Sequence, residues 1–478
     1  MRNGLDGTAD VAGWSTAKYL SYALWRAWFL VMYSSPVWAM LAHPGASNAS
    51  LWMYGISTVC FIVTSVLLSV LHVRAVNLLS LRWFTIACGA GASVGVLLEF
   101  AALAMQQSPE SALFVAGSAL TGLCTAPIAV RAGQVYAAVK SNAAIVATLL
   151  SDVVAGFIFF FCVGTWPFLC LATAAALPLL SALAIVVIVP TSYEEAMDAR
   201  PIDPERPPWR SFARFLAAVF LIALVAFLQY GLGNSWFAQA EIDRGLTLGV
   251  SLLVVSSLAL ALFFTFGREG AFIALYRPII FILIVCIVVA YLLDFGNPVA
   301  IGTTFLVYCL FSSYVWAFMS YLGHSRYFSP VQVFGLGRGV YSAGSLAGCL
   351  IGVFVLPGMD VERALPVVVV AMVAVLMLCA VAIRREDIES ILMLDADGGR
   401  DVPLEEASAG TQADELGDVH LSPRELEVFA LMKAGRDSEY IASSLCVSRN
   451  TAKTHIRNIY AKFGVHRRQD FIDVIQKL

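Results

Sequence analysis

The chain has 478 residues, of which 59% are hydrophobic and 13% are charged, and its formal net charge is −3. Soluble domains carry about 25% charged residues. The low charge content and a mean hydropathy of +0.80 therefore exclude an ordinary soluble protein and indicate a chain that lies mostly in lipid. The net charge itself excludes little, because it averages an apolar region and a polar one.

The apolar region extends from the amino terminus to about residue 383. Apolar runs of about 20 residues cross the hydrocarbon core of a bilayer as helices. The spans divide six and six around the segment 191–210, whose proline and acidic residues indicate a solvated connector. The sequence thus predicts an all-α fold, with a polytopic bundle over residues 1–383 that has twelve spans, at 19–42, 51–72, 83–105, 111–130, 142–164, 166–189, 211–233, 245–267, 277–296, 298–322, 330–356 and 363–383.

The loops between these spans differ in their content of basic residues. Alternate segments carry 14 Lys or Arg residues on one side of the membrane and only two, Arg244 and Arg363, on the other. Cytoplasmic loops are enriched in Lys and Arg. We therefore expect a multi-pass protein of the bacterial cytoplasmic (inner) membrane with both termini in the cytoplasm, which agrees with an even number of spans.

Several charged residues fall within predicted spans, and those that we single out are Arg26, Glu99, Asp152 and Arg338. Charged groups are costly in lipid and commonly mark ligand or ion sites. Glu99 and Asp152 are candidates to carry protons, to bind a cationic ligand, or to pair with Arg26 or Arg338. The alternative is a structural ion pair, or arginine side chains that extend from near a span end to the membrane surface.

Other motifs in the membrane region indicate packing rather than chemistry. Gly344, Gly348 and Gly352 recur every four residues, a spacing that lets two helix backbones approach closely. The ten cysteines include no C-x-x-C pair, and the six histidines show no metal-ligand spacing. No phosphate loop or nucleophile elbow is present, so the sequence predicts neither an enzyme nor a bound cofactor or metal.

A change of composition follows at residues 384–420. Between Glu386 and Asp418 lie eleven acidic residues and a single basic one, Arg400, with breaks at Gly398-Gly399 and Pro403. Polar, highly charged segments of this kind do not bury enough apolar surface to fold. We expect a flexible acidic linker.

Residues 421–478 carry dense helix signals. Ser422-Pro423-Arg424-Glu425 has the pattern of a capping box with proline at the first helical position, and Gly435 would end that first helix. A second helix is predicted near 438–445, and Ser448 would begin a third that reaches about Phe463. The second and third helices, joined by a short turn, form a helix-turn-helix pattern.

The third helix has two faces. Its apolar positions follow helical spacing and should contact the core: Ala452, Ile456, Ile459, Tyr460 and Phe463. The opposite face is polar and basic, as insertion into the major groove requires: Arg449, Asn450, Lys453, Thr454 and Arg457. Residues 421–478 contain ten Lys or Arg and six Asp or Glu, a net charge of +4, so we expect DNA affinity to fall with salt.

The carboxyl-terminal segment resembles the LuxR-type (LuxR/FixJ) helix-turn-helix family of transcriptional regulators. The resemblance implies a four-helix domain at 421–478, whose last helix, at about 468–477, dimerises on double-stranded DNA. It also implies that Lys453 contacts a base or a phosphate and that Thr451 contacts a phosphate. The matching positions are Leu421 to Glu425, Gly435, Ile441-Ala442, Leu445, Val447-Ser448, Thr451, Lys453, His455, Asn458-Ile459, Lys462, Gly464-Val465 and Arg468.

The membrane region resembles the major facilitator superfamily in its layout of two six-helix halves. The loop between spans two and three, HVRAVNLLSLRW, lacks the signature pattern of that family. The resemblance therefore implies the fold but not active transport.

These features predict a membrane-embedded transcriptional regulator. The membrane bundle would bind an unidentified small molecule, and the tail would bind promoter DNA as a homodimer. The alternative is a membrane transporter with a regulatory DNA-binding tail. A third hypothesis makes the bundle a passive tether that only holds the DNA-binding tail at the bilayer.

Overall fold

The computed structural model describes most of the membrane region and part of the tail. The described residues are 19–34, 49–138, 141–163, 165–188, 209–236, 253–254, 256–258, 276–293, 298–324, 328–356, 359–382, 425, 428–429, 432, 441, 449–463 and 465. Over these residues the chain is helical and contains no strand. Contacts divide the chain into two compact units, Met1–Gly398 and Gly399–Leu478, and the division falls within the predicted linker.

The described helices of the first unit follow the predicted spans closely. Eleven of the twelve predicted spans coincide with a helix, whereas the eighth, 245–267, lies mostly outside the described residues. Eight of the described helices are long and apolar enough to cross a membrane. In chain order the helices are α1 (Leu20–Ser34), α2 (Ala49–Val70), α3 (His72–Leu79), α4 (Arg82–Ala104), α5 (Ala112–Ala137), α6 (Ser141–Val163), α7 (Pro167–Ile188), α8 (Trp209–Trp236), α9 (Tyr276–Leu293), α10 (Pro298–His324), α11 (Pro330–Leu350) and α12 (Val361–Ala382).

Helix α3 lies in a segment that the sequence predicted to be a loop. Ala75 and Leu79, four residues apart, are buried and pack with Leu68 of α2, Val130 of α5 and Val331 of α11. Positions i and i+4 share one face of a helix, so burial of this pair favours a helical turn over an irregular loop.

Helix α5 is longer than its predicted span, 111–130. It begins where the Ser111 Oγ accepts a hydrogen bond from the Phe114 N–H at 3.4 Å, and it continues to Ala137. Arg131, which the sequence placed in a loop, is buried within this helix, and its Nη1 donates to Gln134 Oε1 at 3.1 Å. This bond within the helix satisfies part of the guanidinium and allows the helix to continue past a charged residue.

Helix α11 is central to the packing of the first unit, where it contacts α2, α5, α8 and α10. It starts at Pro330, where Gln332 Oε1 accepts from the Ser329 N–H at 3.1 Å, and it ends in a π-helical turn, Ile351–Val355. The predicted close packing is confirmed for Gly344 and Gly348, since a Cβ at either position would overlap a backbone carbonyl oxygen of α8.

The second unit is described in part. Its helix α13 (Arg449–Lys462) agrees with the predicted third helix. The buried apolar side chains among the described residues of this unit are Val428, Phe429, Met432, Ile441, Ile459 and Val465. The predicted helices at 422–434 and 438–445 are described at only a few positions. The predicted last helix at 468–477 and the predicted linker at 384–420 lie outside the described residues.

Candidate DNA-reading helix and buried charge cluster

Helix α13 presents one face to the core of the second unit and one to solvent. Ile459 is fully buried, whereas Arg457 and Asn458 are exposed. The Phe463 ring stacks on the Phe429 ring with 5.4 Å between centroids. The described side chains thus divide between core and solvent as the apolar spacing predicted.

The other predicted DNA contacts lie on the first turns of α13. The backbone is helical at Arg449, Asn450, Thr451, Lys453 and Thr454, although their side chains lie outside the described residues. Residues four apart on a helix share a face, so Arg449, Lys453 and exposed Arg457 form a row. Such a row on one helix can hold phosphates by charge and read base edges in the major groove.

An ion pair that the sequence did not reveal holds the end of α13. The Lys462 Nζ lies 2.6 Å from Glu425 Oε2, with the Glu425 side chain 7% exposed and that of Lys462 40% exposed. The capping-box pattern had directed Glu425 toward Ser422, which lies outside the described residues. The only signal in the sequence was Lys462 in the last turn of the helix, a position where a cation is also favoured by the helix dipole.

The first unit contains a buried charge cluster, which we define as Arg26, Asp152, Ser313 and Arg338. The Arg26 Nε lies 3.3 Å from Asp152 Oδ1, and the two side chains are 1% and 0% exposed. Ser313 donates its hydroxyl proton to Asp152 Oδ2. Arg338 lies close enough to Asp152 to interact with it electrostatically. Asp152 is therefore the shared partner of two arginines and one hydroxyl.

Aromatic rings enclose this cluster. The Arg338 guanidinium carbon lies 4.9 Å from the ring centroid of Tyr341, 5.0 Å from that of Trp25 and 5.9 Å from that of Trp316. Tyr22 stacks on Trp316 at 3.9 Å, and Tyr136 meets Trp316 edge-on at 5.7 Å. We call these five residues the aromatic shell. Ring faces attract a cation, so Trp25, Trp316 and Tyr341 stabilise the buried Arg338 guanidinium.

The cluster joins the two predicted halves of the bundle. Arg26 and Asp152 belong to α1 and α6 of the first half, and Ser313 and Arg338 belong to α10 and α11 of the second. A separate bond between the halves connects the Tyr54 hydroxyl of α2 to Ser345 Oγ of α11 at 2.9 Å. A change in the charge or hydrogen bonding of the cluster would therefore act on the contact between halves.

The four ionisable residues predicted from the sequence do not form one group. The structure brings Arg26, Asp152 and Arg338 together. The alternative in which Arg26 and Arg338 extend to the membrane surface is wrong, since both are buried within the protein. Glu99 lies elsewhere, on α4, where Thr121 of α5 donates to its Oε1 at 3.4 Å. Among the described residues Glu99 forms no ion pair.

A family model matches the carboxyl-terminal part of the chain. Residues 419–475 match the model described as GerE, bacterial regulatory proteins of the luxR family. Residues 419–475 form a LuxR-family domain. The buried Ile459 and exposed Arg457 of α13 belong to this domain, and its helix-turn-helix makes the protein a DNA-binding regulator of transcription.

Solved structures of membrane transporters share the fold of the first unit. The human organic anion transporter MFSD10 (TETRAN) is 13% identical, covers 77% of this chain and 98% of its own, and gives a TM-score of 0.54. A bacterial homologue of the iron transporter ferroportin, in an outward-facing state, is 14% identical, covers 78% of this chain and 98% of its own, and gives a TM-score of 0.57. At this identity the likeness establishes a major-facilitator-like fold. The LuxR-family domain is thus attached to a multi-pass membrane domain.

Proposed function

We propose that the protein is a membrane-embedded transcriptional regulator in which the membrane domain senses a small molecule and the LuxR-family domain binds promoter DNA. One observation carries the sensing role. The buried charge cluster is built from both halves of the membrane domain, so a molecule that binds there would change how the halves meet. The proposal includes both termini in the cytoplasm of a bacterial cell, and a binding role rather than catalysis.

The coupling between ligand and DNA would be a shift of populations. A ligand that binds two arrangements of the bundle unequally favours one of them. Ser313 of α10 bonds to Asp152 of α6, so this contact is retained or lost as the halves move together or apart. In our proposal, one arrangement brings two LuxR-family domains together as a homodimer on DNA, and the other keeps them apart.

Two adjacent serines on α10 provide a test with a matched control. Both Ser312 and Ser313 are buried, but only Ser313 bonds to Asp152, while the Ser312 hydroxyl has no hydrogen-bond partner among the described residues. We expect Ser313→Ala to change genome-wide promoter occupancy, measured by chromatin immunoprecipitation, and Ser312→Ala to leave it as in the unmodified protein. Equal occupancy in both variants, at equal protein level, contradicts control by the cluster.

The two other hypotheses give different results in separate experiments. If the bundle is a passive tether, replacing residues 1–383 with an unrelated membrane anchor leaves occupancy unchanged under every growth condition. If the bundle is a transporter, vesicles that contain the full chain accumulate a substrate, and Asp152→Asn abolishes this uptake. The sensing proposal predicts altered occupancy after the replacement and no accumulation.

A tag at the carboxyl terminus tests the orientation. It should react with an antibody only after the cytoplasmic membrane of spheroplasts is permeabilised. Reaction in intact spheroplasts would separate the LuxR-family domain from the chromosome and would overturn the proposed function.

A further inference from the structure

Glu99 is a buried carboxyl group without a counter-charge among the described residues. It lies on α4, its side chain is fully buried, and the described ion pairs do not include it. Its Oε2 has no hydrogen-bond partner in the same part of the chain. An isolated buried charge is costly, both in protein and in lipid. The charge of Glu99 is therefore neutralised by something other than a basic side chain that the structure describes.

The Thr121 hydroxyl gives Glu99 only a weak hydrogen bond. Thr121 Oγ1 lies 3.4 Å from Glu99 Oε1 but 2.8 Å from the carbonyl oxygen of Ser118, one turn earlier in α5. A hydroxyl has one proton to donate and two lone pairs that accept, and the shorter contact is the stronger bond. Glu99 thus faces mainly a lone pair, which suits a carboxylic acid that donates better than a carboxylate that only accepts.

Ser118 completes the surroundings of the carboxyl group. Its side chain lies beside Glu99, yet its Oγ is buried and forms no hydrogen bond of normal geometry with the described residues. We define Glu99, Ser118 and Thr121 as the Glu99 site. One added proton would complete its hydrogen bonds, because Oε1 would then donate to Thr121 Oγ1 and Oε2 would accept from Ser118.

Close packing leaves no room for a larger cation at the Glu99 site. A Cβ added to Gly117 of α5 would lie 2.7 Å from the Gly95 carbonyl oxygen, 2.9 Å from the Glu99 nitrogen and 3.0 Å from Glu99 Cγ. The two helices therefore touch through their backbones at this level. A metal ion needs several oxygen ligands, and an organic ammonium group needs a cavity of its own size. A proton needs neither.

The described helices around α4 bring no basic side chain to Glu99. Helix α4 packs against α5, α7 and α3, and Tyr33 of α1 interacts with Glu99 electrostatically. Arg131 lies ten positions beyond Thr121, about 15 Å along α5, and bonds to Gln134. Helix α3 precedes the opposite end of α4, about 25 Å from Glu99. The titratable side chains on these helices are Tyr22, Arg26 and Tyr33 of α1, His72 and Arg74 of α3, Arg82 and Cys88 of α4, Cys124, Arg131 and Tyr136 of α5, and Cys170 of α7.

We propose that Glu99 binds a proton while α4 and α5 are in contact, and that release of this proton to water loosens the contact. Release leaves a carboxylate beside the Gly95–Gly117 crossing, where no described cation accompanies it. The inference goes beyond the proposed function, because the ligand is a proton and the Glu99 site is separate from the buried charge cluster. In the proposed orientation α4 ends at the outer surface, so Glu99, five positions before Ala104, would respond to pH outside the cytoplasm.

Infrared spectroscopy of the full chain in lipid nanodiscs tests the protonation of Glu99. A carboxylic acid has a carbonyl stretching band that a carboxylate lacks. At neutral pH we expect a band that Glu99→Gln removes and Glu110→Gln retains, and that alkaline pH removes from the unmodified protein. Glu110 is the control, because it is exposed in the connection between α4 and α5. Identical bands in the two variants would mean that Glu99 is ionised and would overturn the proposal.

Thermal unfolding at a series of pH values tests the consequence for packing. The folded chain holds a proton that the unfolded chain in water releases, so stability falls as pH rises. Glu99→Gln is neutral at every pH and should not show this loss, whereas Glu110→Gln should show it as the unmodified protein does. The same pH dependence in both variants contradicts the proposal. Exchange of choline for sodium should change nothing, and recovery of stability in sodium would indicate a metal-ion site instead.

Thr121 supplies a test of sign. Thr121→Val removes the hydroxyl that would accept from the acid, so stability should be lost at a pH lower by about 0.5 to 1 pH unit. Thr121→Ser retains the hydroxyl and should behave as the unmodified protein. If Thr121 instead served a carboxylate as donor, Thr121→Val would move the loss to higher pH. That result, or equal behaviour of the two variants, overturns the proposal.

Promoter occupancy separates failure of this inference from failure of the proposed function. If Glu99 shows the expected band and pH dependence but Ser313→Ala leaves occupancy unchanged, the proton site stands and the proposed function is wrong. If Ser313→Ala changes occupancy while Glu99→Gln and Glu110→Gln behave alike in both measurements, the proposed function stands and the proton site is wrong.

Discussion

The two units of this chain treat charge in opposite ways. The membrane domain buries Arg26 and Arg338 among aromatic rings and beside the Asp152 carboxylate. In the LuxR-family domain, Arg457 of α13 is exposed to solvent. Its one described ion pair, Lys462–Glu425, is buried on the glutamate side only.

This difference shows what charge does in each unit. A charge enclosed in protein interacts strongly with every neighbour, so a small change there shifts the packing of helices. A charge at the surface is screened by salt and is available to a large charged partner such as DNA. Mutations should therefore affect folding and coupling in the membrane domain, and binding affinity in the LuxR-family domain.

The largest effect on stability should follow from loss of the shared carboxylate. Asp152→Asn removes the carboxylate that pairs with buried Arg26, and removing one partner of a buried pair costs about 3–5 kcal/mol. Thermal unfolding of the full chain in detergent measures this. The double variant Arg26→Gln/Asp152→Asn should recover part of the loss, because it also removes the buried positive charge that paired with Asp152. Equal stability of Asp152→Asn and the unmodified protein would mean that the carboxylate has no structural role.

The second largest effect should be a loss of affinity for promoter DNA when basic residues of α13 are replaced. Reversing the charge in Lys453→Glu/Arg457→Glu should lower promoter affinity about 100-fold or more, since each lost contact costs about 1–3 kcal/mol. Stability should change little, because Arg457 is exposed. Lys433→Glu/Arg436→Glu is the control, with the same change of charge outside α13. Chromatin immunoprecipitation measures occupancy, and a loss in the control equal to that in the double variant would indicate a general charge effect rather than a reading helix.

A third prediction concerns packing without charge. A Cβ at Gly348 would overlap the Leu224 carbonyl oxygen of α8 and lie 2.8 Å from the Leu228 nitrogen, whereas a Cβ at Gly55 of α2 would meet nothing within 4 Å. Gly348→Ala should therefore destabilise the membrane domain by about 3 kcal/mol. Gly55→Ala should be neutral or slightly stabilising, because alanine favours helix. Thermal unfolding of the two variants side by side checks this, and similar values for both would argue against close contact of α8 and α11.

Hydropathy and spacing were sufficient to predict eleven of the described helices of the membrane domain and helix α13. The requirement that every backbone group in lipid be bonded within a helix makes apolar runs reliable, and α13 follows from its capping and apolar spacing. Small residues at intervals of four likewise predicted the contact at Gly344 and Gly348. These features depend on local sequence, which a single chain displays directly.

The pairing of charges was not predictable in the same way. Arg26 and Asp152 are 126 positions apart in sequence, and no local pattern indicates that they meet rather than Arg26 and Glu99. Helix α3 was missed because its stability comes from Leu68, Val130 and Val331, which belong to other helices. The Glu425–Lys462 pair was missed for the same reason, since the local capping pattern competed with a contact 37 residues away.

Loss of the Glu425–Lys462 pair should have the smallest effect on stability of the changes considered. This pair is only partly buried, whereas the Arg26–Asp152 pair of the membrane domain is fully buried. Lys462→Met should destabilise the LuxR-family domain by about 1 kcal/mol, because the ion pair with buried Glu425 is lost but Lys462 is partly solvated. Glu425→Gln/Lys462→Met should recover most of this loss by removing the buried charge. Urea unfolding of the domain within the full chain, followed by hydrogen exchange at Ile459, measures both. A loss as large as that of Asp152→Asn would show that the two units do not differ in how deeply they bury charge.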